Sequence, residues 1–466
     1  MRKRYFDLID QTFDFPQKEF ELGKDDCLKF HDIDLMELVK KYGTPLKFNY
    51  LPQISNNIQK CKGWFDAAIK DTNYNGSYEF AYCTKSSHFS FVLDEVLKND
   101  VHLETSSSYD IDIINHLLDA GKLTGREKII CNGFKQDRYI QKIAELINRN
   151  VLEVIPVIDN FGELDRLLEL CNRKIEVGIR IASEEDPKFE FYTSRLGIRY
   201  KDIVPFYEER IANNDMVSLK MLHFFINTGI KDNAYYWNEL SKSLRVYSKL
   251  AKVCDSLNAL NIGGGFPIKK SLGFDYDYEY MVQEIVLQIK TMCSEHNIED
   301  PDLYTEFGSF TVGESGGAIF KVLDQKLQND REKWNMIDSS FMTNLPDTWA
   351  INQRFIMLPI NRWNEDYERV LLGGLTCDSD DYYNSEQHSN AIYLPKFDRN
   401  EPMYIGFFNT GAYQETIGGY GGLKHCLIPE PRHILISKDD EGNITTELFS
   451  QEQTPDQYLK LLGYNK

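Results

Sequence analysis

Short apolar runs rich in β-branched and aromatic residues alternate along the chain with stretches whose apolar positions recur every three to four residues. The runs "YEFAYCT" (78–84), "VHLETS" (101–106), "KIICNG" (128–133), "LEVIPVI" (152–158), "IEVGIRIA" (175–182), "SLKMLHFFI" (218–226), "LNALNIGGG" (257–265) and "LYTEFG" (303–308) predict strands. Between them, "SFVLDEVLKN", "DIDIINHLLDAG", "DRYIQKIAELINRN", "FGELDRLLELCNRK" and "DYEYMVQEIVLQIKTMCSEHN" predict amphipathic helices. Eight strand–helix alternations over roughly 250 residues are the pattern of a TIM-like (β/α)8 barrel. A doubly wound open sheet is the competing arrangement for the same pattern. From about residue 311 the texture changes to short β-rich runs separated by Pro, Asn, Asp and Gly, such as "FIMLPI", "RVLLGGLTC" and "MYIGFFNTGAY". The expected architecture is therefore α/β plus all-β: a barrel over 46–310, and a β-sandwich or β-barrel domain built from 1–45 and 311–466.

Composition narrows the partners. The chain has 466 residues, enough for two cores. Its net charge is −19, from 72 acidic against 53 basic residues, which argues against nucleic acid as a partner and favours a small cationic molecule. Nine cysteines lie scattered with no CxxC pair and no His/Cys cluster at metal spacing. Neither a disulfide framework nor a metal site is expected, and a reducing cytoplasm fits that usage. The opening "MRKRYFDLIDQTFDF" turns acidic without an apolar core of signal-peptide length, and no apolar run approaches a membrane span, so no membrane partner is expected.

The C-terminal ends of barrel strands build active sites. Here those ends carry Lys85, Glu104, Asn132, Arg180, His223, the run Gly263-Gly264-Gly265, and Glu306. Each has an ordinary reading alone: a solvated loop lysine, a surface ion pair, a tight turn. Their coincidence carries more, because the strands were located from hydrophobicity without using these residues. A triple-glycine turn lets backbone N–H groups approach a phosphate, a lysine can bond covalently to an aldehyde, and a carboxylate can pair with a pyridine nitrogen. Phosphate, aldehyde and pyridine together describe pyridoxal 5'-phosphate.

The chain resembles the PLP-dependent decarboxylases of the alanine-racemase fold (fold type III), and within them most nearly the biosynthetic arginine decarboxylases. The stretches that carry the resemblance are "HDIDLMELVKKYGTPL", "AYCTKSS", "HLETSS", "IICNGFKQDRYI", "GIRIAS", "LHFFINTG", "LNIGGGFP", "YTEFGS", "LPDTWAINQRFIMLPI", "LTCDSDD" and "GFFNTGAYQETIGG", in family order along nearly the whole chain. The portions "CNGFKQDRYI", "PDTWAINQRF" and "GAYQE" point to arginine in particular. The chain is shorter than those enzymes and lacks a helical insertion that they carry between barrel and β domain.

The resemblance implies roles for individual residues. Lys85 matches the cofactor-bonding lysine, and Glu306 the carboxylate facing the pyridine nitrogen. Gly263, Gly264, Gly265 and Tyr413 match phosphate-binding positions, and Glu104, Arg180 and His223 lie around the cofactor. Cys377 matches the cysteine that returns a proton to the α-carbon. Asp378, with Asp338 as second candidate, would receive the substrate's distal cation. In the family the Cys377 and Asp378 positions serve the neighbouring subunit's site, which implies a homodimer with shared active sites and leaves higher oligomers open. Two positions depart from the pattern: Phe225 stands where a histidine stacks on the pyridine, and Ser309 where an arginine meets the phosphate. The expected reaction is decarboxylation of L-arginine to agmatine and CO2. Ornithine, lysine, diaminopimelate and carboxynorspermidine are the alternative substrates, and a racemase or a catalytically silent regulator the more distant readings.

Overall fold

Eight parallel strands close into a barrel in the computed structural model, which describes residues 18–23, 25–184, 193–386 and 390–464. The N-terminal stretch read above for targeting signals lies outside the described residues through position 17. The barrel strands are β1 (Tyr78–Cys83), β2 (His102–Thr105), β3 (Lys128–Cys131), β4 (Glu153–Ile158), β5 (Ile175–Arg180), β6 (Val217–His223), β7 (Ala259–Asn261) and β8 (Asp302–Phe307). Each lies within or at the edge of an apolar run predicted from sequence. Pairing of β8 with β1, in register from Leu303 opposite Tyr78 to Phe307 opposite Tyr82, closes the ring and excludes the open sheet.

The strands are buried on both faces because side chains fill the lumen and helices cover the outside. Ala81, Ile130, Ile155, Val157, Met221, Ala259 and Tyr304 form one core cluster. Each large side chain so buried contributes about 1.5–3 kcal/mol of transfer free energy. The covering helices show their sequence logic directly. Asp137–Arg149 turns Tyr139, Ile140, Ile143, Ala144, Leu146 and Ile147 inward, and Ser108–Asp119 starts at a capping box between Ser107 and Asp110.

The second unit is a ten-stranded sheet among the described residues. Its long strand Gly316–Leu327 pairs antiparallel with Lys333–Ile337, with Met403–Phe408 and with Leu46–Tyr50. Leu46–Tyr50 pairs parallel with Arg432–Lys438 on its other edge. Two apolar clusters pack in this unit, one around Phe48, Ile319, Trp363 and Ile434, the other around Phe320, Phe341, Tyr383 and Phe407. A small antiparallel sheet, Phe20–Leu22, Leu28–Phe30 and Ile33–Asp34, contributes Phe20, Leu28 and Phe30 to the first cluster.

The unit boundaries differ from the sequence reading. The barrel unit comprises 54–267 and 276–311, and the sheet unit 1–53, 268–275 and 312–466. The start expected at 46 moves because strand Leu46–Tyr50 takes both its partners from the sheet. An apolar strand just before the helix Pro52–Thr72 has the local look of a strand–helix unit, and its distant partners are invisible to periodicity.

Candidate active site

Lys85 leaves its strand through a single 3-10 turn, Thr84–Ser86. The turn is held by Thr84 Oγ1 donating to the Glu104 carbonyl at 3.0 Å, and by the Tyr82 hydroxyl donating to the Ser87 carbonyl at 2.9 Å. Lys85 Nζ donates to Glu104 Oε2 at 3.1 Å. Glu104 itself is completely buried, whereas the Lys85 side chain is 43% exposed. The lysine therefore reaches from an accessible rim onto a carboxylate whose burial is tolerable only with a charged partner.

A polar row crosses the same end of the barrel. Register places His223 opposite Arg180 on one side and Asn261 on the other. Glu306 Oε1 accepts from Asn132 Nδ2 at 2.8 Å and from Asn261 Nδ2 at 2.6 Å. The other carboxylate oxygen lies 3.4 Å from His223 Nε2, beyond an ordinary N–H···O bond, and among the described residues neither His223 ring nitrogen finds a hydrogen-bond partner. Burial, reinforced by the Arg180 guanidinium, holds the His223 imidazole well below its usual pKa, so it is neutral.

Glu104 Oε1, Asn132 Oδ1 and both His223 nitrogens are thus buried polar atoms without partners, all at the C-terminal end of the strands. Such atoms are costly and rare in native proteins, and their clustering is what a site completed by a polar ligand requires. The glycine run provides a second sign. Gly263 N–H donates to Asn261 Oδ1 at 2.9 Å, and the Glu306 N–H donates to the Gly263 carbonyl at 2.8 Å. A Cβ on Gly264 would overlap the Glu306 carbonyl oxygen, and Gly265 has φ +111 with Gly229 packed against it. Among the described residues, the N–H groups of Gly264 and Gly265 make no backbone hydrogen bond, leaving donors at a barrel end where phosphates are commonly bound. Phe225 packs beside Gly263, with the Arg180 guanidinium 5.9 Å from its ring centroid. Ser309 is the first residue of the short helix Ser309–Val312. The barrel end thus offers Lys85 for an aldehyde, Glu306 for a ring nitrogen, an aromatic face and a glycine cradle, a donor set that fits pyridoxal phosphate.

The remaining residues singled out in the sequence lie in the sheet unit and are described there. Cys377 is exposed. Its loop is fixed by Asp381, whose Oδ1 accepts from Phe341 N at 2.8 Å and whose Oδ2 accepts from Thr376 Oγ1 at 2.7 Å. Asp378 is half-buried, with Oδ1 accepting from Asp380 N at 2.9 Å. Both Asp338 oxygens serve the sheet, Oδ2 accepting from Thr44 Oγ1 at 2.6 Å and Oδ1 from Lys321 N at 2.9 Å. Tyr413 sits at φ +68, an uncommon conformation for a bulky residue, immediately before the helix Gln414–Ile417. Gln414 Nε2 donates to Asp347 Oδ2 at 2.7 Å, joining the "GAYQE" and "PDTWA" stretches that are 67 residues apart.

Two positions were missed from sequence. Asn261, wholly buried at the end of β7, had a signal: an amide in an apolar strand two residues before a glycine run. Asp381 looked like one more acid in "TCDSDD" and is the anchor of that loop. The sequence shows no His/Cys cluster at metal spacing, yet the fold brings Cys377, His425 and Cys426 together with ligand atoms all within 4.8 Å of one another. Spacing rules detect ligands close in sequence, and these come from two separate loops.

Residues 59–313 match the family model described as pyridoxal-dependent decarboxylase, pyridoxal binding domain. The biosynthetic arginine decarboxylase of Prochlorococcus marinus (strain MIT 9515) is 23% identical over 93% of this chain and 85% of its own length. Among solved structures, the biosynthetic arginine decarboxylase of Campylobacter jejuni superposes with a TM-score of 0.80 at 19% identity, covering 96% of this chain and 89% of that one. The diaminopimelate decarboxylase of M. jannaschii gives 0.78 at 19% identity, covering 96% and 98%. The matched segment takes in all eight barrel strands and every residue of the donor set at their ends. The chain belongs to the pyridoxal-dependent decarboxylases.

Proposed function

We propose that the enzyme decarboxylates L-arginine, releasing CO2 and agmatine, a precursor of polyamines, in the cytoplasm. The observation that carries the substrate assignment is the likeness, over nine-tenths of the chain, to arginine decarboxylases of both bacteria and plants. The union of "PDTWA" with "GAYQE" through Gln414 and Asp347 supports it, since these stretches carry the arginine-specific part of the resemblance.

Bound pyridoxal phosphate supplies the electron sink for the bond pair left behind when CO2 departs. Lys85 would hold the cofactor through its aldehyde, with Glu104 as its ionic partner. Glu306, held by Asn132 and Asn261, would pair with the cofactor's ring nitrogen. Neutral His223 completes the polar floor, and Phe225 presents an apolar face in place of the family's histidine. Gly263, Gly264, Gly265, Ser309 and Tyr413 receive the phosphate, with Ser309 offering a hydroxyl where an arginine is usual. Arg180 adds positive charge nearby. Cys377 returns a proton to the α-carbon, and Asp378 receives the guanidinium, for which a carboxylate provides bidentate geometry. Asp338 is the weaker candidate because its oxygens already serve Thr44 and Lys321. Cys377 and Asp378 act in the site of the second subunit of a homodimer; nine free cysteines suit the reducing compartment.

A product assay over a panel of basic amino acids tests the reading. Arginine is expected to exceed ornithine and lysine in kcat/KM by about two orders of magnitude or more, because a single ammonium leaves a site built for a fork partly unpaired. Equal turnover of ornithine removes the arginine assignment and leaves the decarboxylase intact.

A further inference from the structure

Two loops of the sheet unit bring a soft donor set to the surface. Cys377 Sγ and Cys426 Sγ lie 3.5 Å apart, and a His425 ring nitrogen joins them within 4.8 Å. These are the two exposed cysteines of the nine; the other seven are buried or half-buried. A sulfur–sulfur bond is about 2.05 Å long, whereas two thiolates on one tetrahedral zinc ion, each about 2.3 Å from the metal, stand about 3.8 Å apart. The observed separation is close to the edge of a metal tetrahedron.

Both arms of the cluster are fixed by buried groups. On one side Asp381, 4% exposed, ties down Thr376 next to Cys377. On the other, buried Lys424 pairs with Glu430 at 2.6 Å and donates to Asn344 Oδ1 at 3.2 Å, just before His425. Cys426 and Leu427 then follow at φ +53 and +51, a left-handed pair of non-glycine residues that turns Cys426 toward Cys377. Asp378 Oδ2, 3.8 Å from His425 Nε2, adds negative charge at the margin. Two sulfurs and an imidazole select soft or borderline cations over calcium or magnesium.

We propose that Cys377, Cys426 and His425 form a site for Zn2+, with one coordination position left to water. Binding replaces the two thiol protons with metal–sulfur bonds and releases those protons to solvent. The site stands independently of any catalytic role for Cys377. A consequence rests on the proposed function: a zinc-bound Cys377 has no proton to give, so Zn2+ inhibits decarboxylation reversibly.

The test uses tag-free holoenzyme, reduced and stripped of metal, titrated with Zn2+ in competition with a chromophoric chelator and separately with Co2+. The expected results are one ion per chain, a thiolate-to-cobalt charge-transfer band, and protection of two fast-reacting thiols. Cys426→Ser and His425→Ala should each weaken Zn2+ binding at least tenfold. The inhibition constant for Zn2+ should rise in Cys426→Ser by the same factor, whatever its basal rate. Equal zinc binding by wild type and both variants overturns the site, as does a wild type that binds no zinc with its thiols reduced. Stoichiometric binding without inhibition upholds the site and removes Cys377 from proton transfer.

Discussion

Asn261 Nδ2 donates to Glu306 Oε1 at 2.6 Å while its Oδ1 accepts the Gly263 N–H at 2.9 Å, so one buried amide ties the carboxylate at the barrel floor to the glycine turn. A hydrogen bond to a charged group is worth about 1.5–3 kcal/mol, or roughly ten- to a hundredfold. Asn261→Ala is expected to lower kcat/KM by that factor and to weaken cofactor binding, since both Glu306 and the turn lose their register. Steady-state kinetics with a cofactor titration measure this; unaltered values would mean that Asn132 alone orients Glu306.

Lys85→Ala should abolish both the visible absorbance of the bound cofactor and its capture by borohydride. Peptide mapping of the reduced wild-type protein should locate the label at Lys85. A label on any other lysine refutes the anchor assignment.

The two departures from the family pattern suggest gains. Ser309→Arg restores a charge-assisted phosphate contact and should tighten pyridoxal phosphate by about tenfold. Phe225→His is expected to change the cofactor spectrum more than its affinity, because the aromatic contact is retained. Weaker binding in Ser309→Arg would place the phosphate elsewhere.

Mixed dimers examine the shared site. Lys85→Ala and Cys377→Ala homodimers should each be severely impaired. Mixed in equal amounts under exchange, half the dimers are heterodimers with one intact site of two, so activity recovers to about a quarter of wild type. Confirmed exchange without recovery would place both residues in one chain's site or remove one from catalysis.

Acid stability depends on Glu430. Burial raises the affinity of this carboxyl for its proton, but Lys47 and Lys424 outweigh that effect and hold it at about 2, below the ordinary 4.5. The two lysines are not equally favoured, since burial and the charge of Lys47 lower Lys424 to about 8. A depressed carboxyl stabilises the fold above pH 4.5, and that contribution is lost as the pH falls from 4.5 toward 2. Glu430→Gln leaves two buried ammonium groups facing each other and should cost about 3–5 kcal/mol in urea unfolding near neutral pH. The variant should also lose much of the wild type's stability slope between pH 4.5 and 2; an unchanged slope would point to other carboxyls.

The barrel was legible in the sequence because its strands are short and apolar and most are followed by a helix whose buried face recurs with helical period. Side chains at the strand ends could then be named before any distance was known, and Lys85, Glu104, Asn132, His223 and Glu306 do gather there, since parallel register aligns strand ends whatever the loops do. Pairing between distant segments was beyond that reading. Leu46–Tyr50 went to the sheet because its hydrogen-bond partners lie at 316–319 and 432–436. Asn261 became part of the floor through a side-chain bond to Glu306 on the neighbouring strand, Asp381 became an anchor through the loop it ties down, and Cys377 met Cys426 only because two loops converge. Hydrophobic period is a property of neighbours in the chain and fixes elements; hydrogen bonds, ion pairs and metal ligands are set by neighbours in space, which only the folded chain brings together.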